Sequence, residues 1–374
     1  MNPQNTTLVA HIDMAGGGQV WVDGTTLYVG HMSAPHGTTI VDVADPRKPR
    51  VLTSLEVPAG YHSHKVRVAN NTMLVNHELV GRDDGANFGG GGLGIYDVSN
   101  PARPVLRTKW KTGGKGVHRF SFDGRYAYIS PTVEGYAGNI VMILDLADPA
   151  HPQEVGRWWM PGQWTAGGEE PGAGPAIERC HHPLRLGDRL YVSYWHGGGV
   201  ILDISDMTQP RALTRINTNA TFPHPTHTLL AIPEPIKGRR VMLVPDEDVN
   251  ERFPTPPAFL WIYDVTNETT PVPIGTFQVP GIDPDGAPQP PMTGCHQTSE
   301  RLSGTIVPCA WFAQGLRLLD ISDPFAPKEV GSYQPDPAPG AKRASSNDVT
   351  IDDRGLIYLV DRQGGIDILE TCVW

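Results

Sequence analysis

Residues 38–49 read TTIVDVADPRKP, and the phrase returns as LGIYDVSNPARP at 93–104, VMILDLADPAHP at 141–152, VILDISDMTQP at 200–210, LWIYDVTNETTP at 260–271 and LRLLDISDPFAP at 316–327. A worn copy, GGIDILETCVW, stands at 364–374. Asp42, Asp97, Asp145, Asp203, Asp264 and Asp320 mark the unit, and Glu370 takes the seventh slot. The apolar residues before each aspartate suit a buried strand. The Asp-x-Ser/Ala-Asp/Asn-Pro segment suits a turn in which the carboxylate caps the backbone and proline fixes φ. A unit of roughly 55 residues is of propeller-blade length.

Working outward, each unit reads as four strands, so the expectation is an all-β, seven-bladed β-propeller formed by residues 1–374 as a single domain. The last copy stops after its third strand. Residues 8–17, LVAHIDMAGG, match 51–60, VLTSLEVPAG, in pattern, and are expected to supply the missing outer strand and close the ring. Forty-two glycines and 36 prolines with only 39% hydrophobic residues fit a turn-rich β protein and argue against a helical one. The phrase resembles the LVIVD-repeat family of propeller-forming bacterial proteins over essentially the whole chain. That resemblance implies the fold and says little about function.

The strands that open each unit carry the chemistry. Aligned on their core residues they are GQVWV (18–22), HKVRV (64–68), HRFSF (118–122), HPLRL (182–186), HTLLA (227–231), HQTSE (296–300) and NDVTI (347–351). The leading position is Gly18, His64, His118, His182, His227, His296 and Asn347: five histidines in seven places, from a chain with 14. First strands line a propeller's channel, so these residues are expected to ring the axis. One buried histidine is ordinarily a hydrogen-bonded core residue. Five converging imidazoles offer no packing advantage, repel when protonated, and are reconciled by a bound cation. His64, His118, His182, His227 and His296 are therefore the expected metal ligands, for a transition ion, Fe(II) or Cu ahead of Zn or Mn. Ligands drawn from separate blades suit an open catalytic site better than a closed structural one.

Asp246, Asp348 and His62 are the expected acid/base or orienting groups, with Glu78 and Glu247 in the same neighbourhoods. Cys180 and Cys295 flank ring histidines but read first as small buried hydrophobes. The arrangement is similar in placement to the four-histidine iron site of carotenoid cleavage oxygenases, and in repeat style to selenium-binding proteins, which act as copper-dependent methanethiol oxidases. It departs from both in having five axial histidines and a shorter chain. Long segments at 82–91, 164–179, 247–259 and 279–294 are expected to open on the face where the ring lies, with Phe88, Phe253, Trp164, Trp195 and Phe222 as candidate funnel residues.

The functional expectation is a metal-dependent oxidase or oxygenase acting on a small organic substrate. A hydrolase or lyase using metal-bound hydroxide is the second reading, and a non-catalytic metal-binding scaffold the third. A net charge of −10 without a basic stripe excludes nucleic acid as the expected partner. With no basic n-region before an apolar run, and no long apolar stretch, the expected setting is cytoplasmic and away from membranes.

Overall fold

The computed structural model describes residues 3–80, 90–172, 178–219, 221–248, 258–279 and 293–374. The chain is an all-β propeller. Its only helical element among these residues is a 3-10 turn at Thr165–Gly167, and none of its helices is long and apolar enough to cross a membrane. The repeat phrase is explained by six copies of one turn. Asp42, Asp97, Asp145, Asp203, Asp264 and Asp320 each accept the backbone N–H two residues on, at 2.8 to 3.0 Å. A second carboxylate or amide then repeats the motif three residues later, as Asp45 does for Arg47 at 3.1 Å and Asp148 for Ala150 at 3.0 Å. Glu370 is one methylene too long for this cap, and reaches instead toward Arg47 at 3.4 Å.

Five units stand as separate four-stranded antiparallel sheets, four of them meanders of consecutive strands and the fifth with Thr6–Ile12 as its outer strand. The unit beginning Gly17–Asp23 continues through Thr26–His31, His36–Asp42 and Arg50–Glu56. The other two units share one nine-stranded sheet, where seven separate blades were expected. The junction is a single pairing, Gly116 with Glu78. Glycine makes it: φ is 119° there, and a Cβ on Gly116 would lie 2.1 Å from the carbonyl oxygen of His77.

Hydrophobic clusters fill the spaces between adjacent units rather than their interiors. Leu27, Val29 and Val41 of the first unit pack with Tyr358, Val360 and Ile368 of the last. Val307 and Leu319 similarly join Leu243 and Ile262. Cys180 and Cys295 belong to such clusters, consistent with their reading as hydrophobes. The strand Thr6–Ile12 pairs antiparallel with Gly365–Thr371, outermost in the last sheet, and Ile12 is buried in the cluster shared with the first unit. Gln4 also pairs with Ser332 of the preceding unit.

Deleting residues 1–15 exposes the edge of Gly365–Thr371 and empties the place of Ile12. Loss of that one side chain costs about 2–5 kcal/mol by itself, so the urea midpoint of the deletion variant is expected to drop clearly. A midpoint equal to that of the full chain would show that the strand holds nothing together.

Candidate metal centre

Where four of the innermost strands reach the axis, the ladder is broken by a bulge. Register shifts fall between Gly17 and Gln19, Val117 and Phe120, Glu178 and His182, and Ser346 and Asp348. A bulge re-aims side chains and frees an N–H. The freed group is taken up by a polar side chain of the second strand: Asn76 Oδ1 accepts from Lys65 at 2.8 Å, Ser130 Oγ from Arg119 at 2.9 Å and Ser193 Oγ from His182 at 3.0 Å. Lys65, Arg119 and His182 are thus equivalent, and the residue before each is the one that faces its neighbours across the axis.

The imidazoles form a continuous arc. His62 stacks on His64 with ring centroids 3.6 Å apart, and the steps from His64 to His118, His118 to His181, His181 to His227 and His227 to His296 are 5.2, 4.8, 4.4 and 4.1 Å. Of the residues expected in the ring, His64, His118, His227 and His296 are here. His181 takes the place expected of His182. His182 is fully buried one residue on, its Nδ1 3.2 Å from Thr228 Oγ1 and its Nε2 3.4 Å from Glu300 Oε1. The register was legible in the partner strands: Ser130 follows His118 by twelve positions, and Ser193 follows His181, not His182, by the same interval.

Two groups of donors come close enough to hold an ion, His62 with His64 and Glu78, and His181 with His227 and Glu247; within each, the ligand atoms lie within 4.8 Å of one another. Hydrogen bonding separates them. In the second group, and in His296 beside it, every imidazole spends its Nδ1–H on a fixed acceptor. His181 Nδ1 lies 2.8 Å from the carbonyl oxygen of His227. His296 Nδ1 donates to the carbonyl oxygen of Asn347. His227 Nδ1 is 2.9 Å from Thr228 Oγ1, whose own proton goes to Gln297 Oε1 at 2.9 Å, so the hydroxyl can only accept from the ring. The lone pairs are therefore on Nε2. His296 Nε2 lies 3.2 Å from Glu247 Oε1, and His227 Nε2 lies 3.9 Å from Glu247 Oε2.

Burial drives His181 and His227 well below the ordinary histidine value and His296 to about 4, so all three are neutral near pH 7. Burial pushes the Glu247 carboxyl up, and His296, Arg362 and Lys65 outweigh it and hold the group below its usual value; the share of His296 belongs to its protonated ring, so Arg362 and Lys65 act when that ring is neutral. The His227 Nε2 lone pair takes the Arg119 Nη1–H at 3.3 Å; the lone pairs of His181 and His296 beside the Glu247 carboxylate repel it unless a cation lies among them. Nitrogen and carboxylate donors oriented by outer carbonyl and hydroxyl acceptors are what a transition-metal site requires. The first group differs. Asn76 Oδ1 is committed to the Lys65 N–H, so Asn76 Nδ2 donates to His64 Nδ1 at 3.3 Å and leaves the proton of His64 on Nε2.

His118 Nδ1 bonds Glu78 Oε2 at 2.8 Å, forming a carboxylate–imidazole pair whose Nε2 is unencumbered by that bond. His118 and Glu78 retain side-chain exposures of 17% and 16%, against 1% and 4% for His227 and Glu247, so the pair marks the side of the cluster that water reaches. His62 lies beside it, its Nδ1 3.6 Å from Glu78 Oε2.

The carboxylates expected to act beside the ring sit elsewhere. Asp246 accepts from Trp261 Nε1 at 2.6 Å and from Thr226 Oγ1 at 3.4 Å, and burial lifts its carboxyl well above the usual range: it is a buried strut. Asp348 accepts the Val20 N–H at 3.2 Å and joins the last unit to the first. Its charge faces Arg119 and Lys65 rather than an imidazole. Trp195 packs on His181 with centroids 4.8 Å apart, whereas Phe222 is packed against Phe259 and Trp261. Phe88, Phe253, segment 280–292 and most of 82–91 and 247–259 lie outside the described residues.

Fold and site together define a β-propeller with buried His/Glu groups that can hold a metal ion. The LVIVD repeat model matches residues 87–112, 117–159, 186–218 and 303–335, so the chain carries LVIVD repeats, on a β-propeller. No curated protein sequence matches it. Among solved structures it is similar to the computationally designed Ika8 protein, with TM-score 0.55 and 7% identity over 98% of this chain and 99% of that one. It is also similar to Sqt1 of Saccharomyces cerevisiae, with TM-score 0.57 and 10% identity over 98% and 88%. At these identities the likeness is one of fold.

Neutral buried imidazoles make stability depend on pH. His77, His118 and His296 titrate near 4 in the fold against about 6.5 when unfolded, with burial the leading cause for each. The unfolded chain then binds more protons, so stability rises with pH and is lost as pH falls from about 6.5 toward 4. Urea midpoints of chelator-treated protein are expected to decline across that window. A flat profile would mean that these rings are solvated or already charged.

Proposed function

We propose that the protein is a seven-bladed propeller, closed by its N-terminal strand, that holds one transition-metal ion at His181, His227, His296 and Glu247 and uses it as an oxidase or oxygenase on a small organic substrate. The observation that carries the reading is the set of three Nε2 lone pairs and one carboxylate, each turned inward by a fixed outer hydrogen bond. Seven hydrophobic clusters between successive four-stranded units support the blade count. His181, His227 and Glu247 by themselves match the two-histidine, one-carboxylate donor set associated with non-haem Fe(II) oxygenases, to which His296 adds a third imidazole, and this places iron ahead of copper; no cysteine lies among the donors.

Such an ion supplies a site for dioxygen or polarises a substrate oxygen. The protein's own part is positioning and proton handling. Glu78 orients His118 and offsets part of the burial that lowers its value to about 4, so His118 Nε2 can take a proton from substrate on the water-accessible side of the cluster. The Nδ1 acceptors keep His181, His227 and His296 from rotating out of the donor set. Arg362, its Nη2 3.6 Å from Glu247 Oε1, balances the carboxylate.

Metal analysis of protein purified without added metal, and after reconstitution with iron, is the test. Wild type is expected to hold about one ion per chain and to consume oxygen with a turned-over substrate. His181→Ala, His227→Ala and His296→Ala are each expected to lower metal affinity at least tenfold, while Asp246→Asn keeps its stoichiometry. His118→Ala is expected to retain metal and lose turnover by about 10²–10⁴-fold. A wild type that neither contains nor acquires an ion would end the reading. A resident zinc or manganese ion without oxygen uptake would move it to metal-dependent hydrolysis or lyase chemistry.

A further inference from the structure

One residue beyond the histidine arc, the inner strands present a second tier: Gln19, Lys65, Arg119, His182, Gln297 and Asp348, all buried. Three buried cations sit on these strands, Lys65, Arg67 and Arg119. Arg67 is committed to Glu300, and its guanidinium stacks 4.4 Å from the Trp21 ring. Asp348 and, more weakly, Glu247 face both Lys65 and Arg119, and the Asp348 carboxylate is already bonded to the Val20 N–H.

Arg119 is the anomaly. Its side chain is wholly buried, and one hydrogen bond is seen, from Nη1 to His227 Nε2 at 3.3 Å. Its Nε and Nη2 have no hydrogen-bond partner among the described residues. These two N–H groups point the same way along one edge of the guanidinium, the fork that takes both oxygens of a carboxylate or similar oxyanion. A buried guanidinium with that edge empty costs several kcal/mol unless something fills it. Gln19 Nε2, in the same tier, is a further buried donor without a partner, while the tier's other unpartnered nitrogen, His182 Nε2, is an acceptor because the proton of that ring is spent on Thr228 Oγ1.

We propose that the free Nε/Nη2 edge of Arg119 is a binding site for a small planar oxyanion, and that the ligand of the axial site is accordingly a small carboxylic acid or carbonate-like anion. Arg119 also touches His227 at the nitrogen assigned to the metal, so an anion seated on its free edge lies next to the donor cluster. The part of this inference that concerns reaction rests on the metal-centre reading. Anion binding itself does not, because guanidinium and anion need no ion between them. A metal bound at His227 Nε2 would displace the Arg119 Nη1 bond and release a further donor toward the same ligand.

The experiment uses full-length protein dialysed against chelator, so that failure of the metal reading leaves it intact. Acetate, formate and bicarbonate are titrated at ionic strength matched with chloride, and the melting temperature is followed. A saturable rise with the planar oxyanions and none with chloride is expected. Arg119→Lys, which keeps the charge and loses the fork, is expected to weaken binding at least tenfold, and Arg119→Gln to abolish it. A wild-type crystal soaked in formate fixes the position without relying on the variants' folding: density on Nε and Nη2 of Arg119 supports the proposal. No saturation, equal shifts with chloride, or formate bound only elsewhere as an adventitious additive would overturn it. Which planar anion binds tightest in the titration separates a carbonate-like ligand from an organic acid.

Discussion

The axial site depends on where three imidazole protons are held. His181, His227 and His296 each point Nδ1–H at an acceptor that cannot turn away: a strand-end carbonyl, a hydroxyl already donating to Gln297, and the backbone of Asn347. With those protons fixed, the Nε2 lone pairs converge beside Glu247, and burial keeps the rings from acquiring a charge that would relieve the repulsion. Relief of that repulsion is one contribution to the cluster's affinity for a cation, set against the cost of desolvating the ion. Arg119 and Arg362 approach it from two sides, but as guanidinium groups on long side chains they fit its edges and not its centre.

The rest of the propeller serves this arrangement. Three inner strands are held at the axis by a side chain from the strand beside them, Asn76, Ser130 or Ser193, and two of these three carry a bulge there. Those residues touch no ligand, yet they decide which side chain of each inner strand faces the channel. Because the hydrophobic clusters lie between units, the units can be held rigidly while the axis stays polar. That separation of core from channel lets histidines, arginines and carboxylates be buried together without dismantling the fold.

Much of this was legible in the residues. The Asp-x-Ser-Asp-Pro phrase is a local hydrogen-bonding unit, so its six copies revealed six turns and the repeat directly. The histidine position was legible for the same reason: a repeat puts equivalent residues at equivalent heights. What alignment could not show was the bulge, which inserts a residue without changing the apolar pattern beyond it. That is why His181 and not His182 enters the arc. Carboxylates on second strands were harder still. Asp246 and Glu247 are adjacent, and strand alternation sends one to Trp261 and the other to the imidazoles, a choice that depends on register alone. Glu78 became merged with its neighbouring unit because Gly116 lets two backbones meet, a contact that repeat spacing does not encode.

The central claim is a position in space as much as a composition, and anomalous diffraction addresses it most directly. Crystals of protein purified without chelator, or reconstituted with iron, should be measured on both sides of the absorption edge of the ion they contain. The account predicts one strong difference peak bounded by Nε2 of His181, His227 and His296 and the carboxylate of Glu247, with His182 and Asp246 out of reach. A peak centred on His62, His64 and Glu78 alone, or no peak in iron-reconstituted crystals, would contradict it.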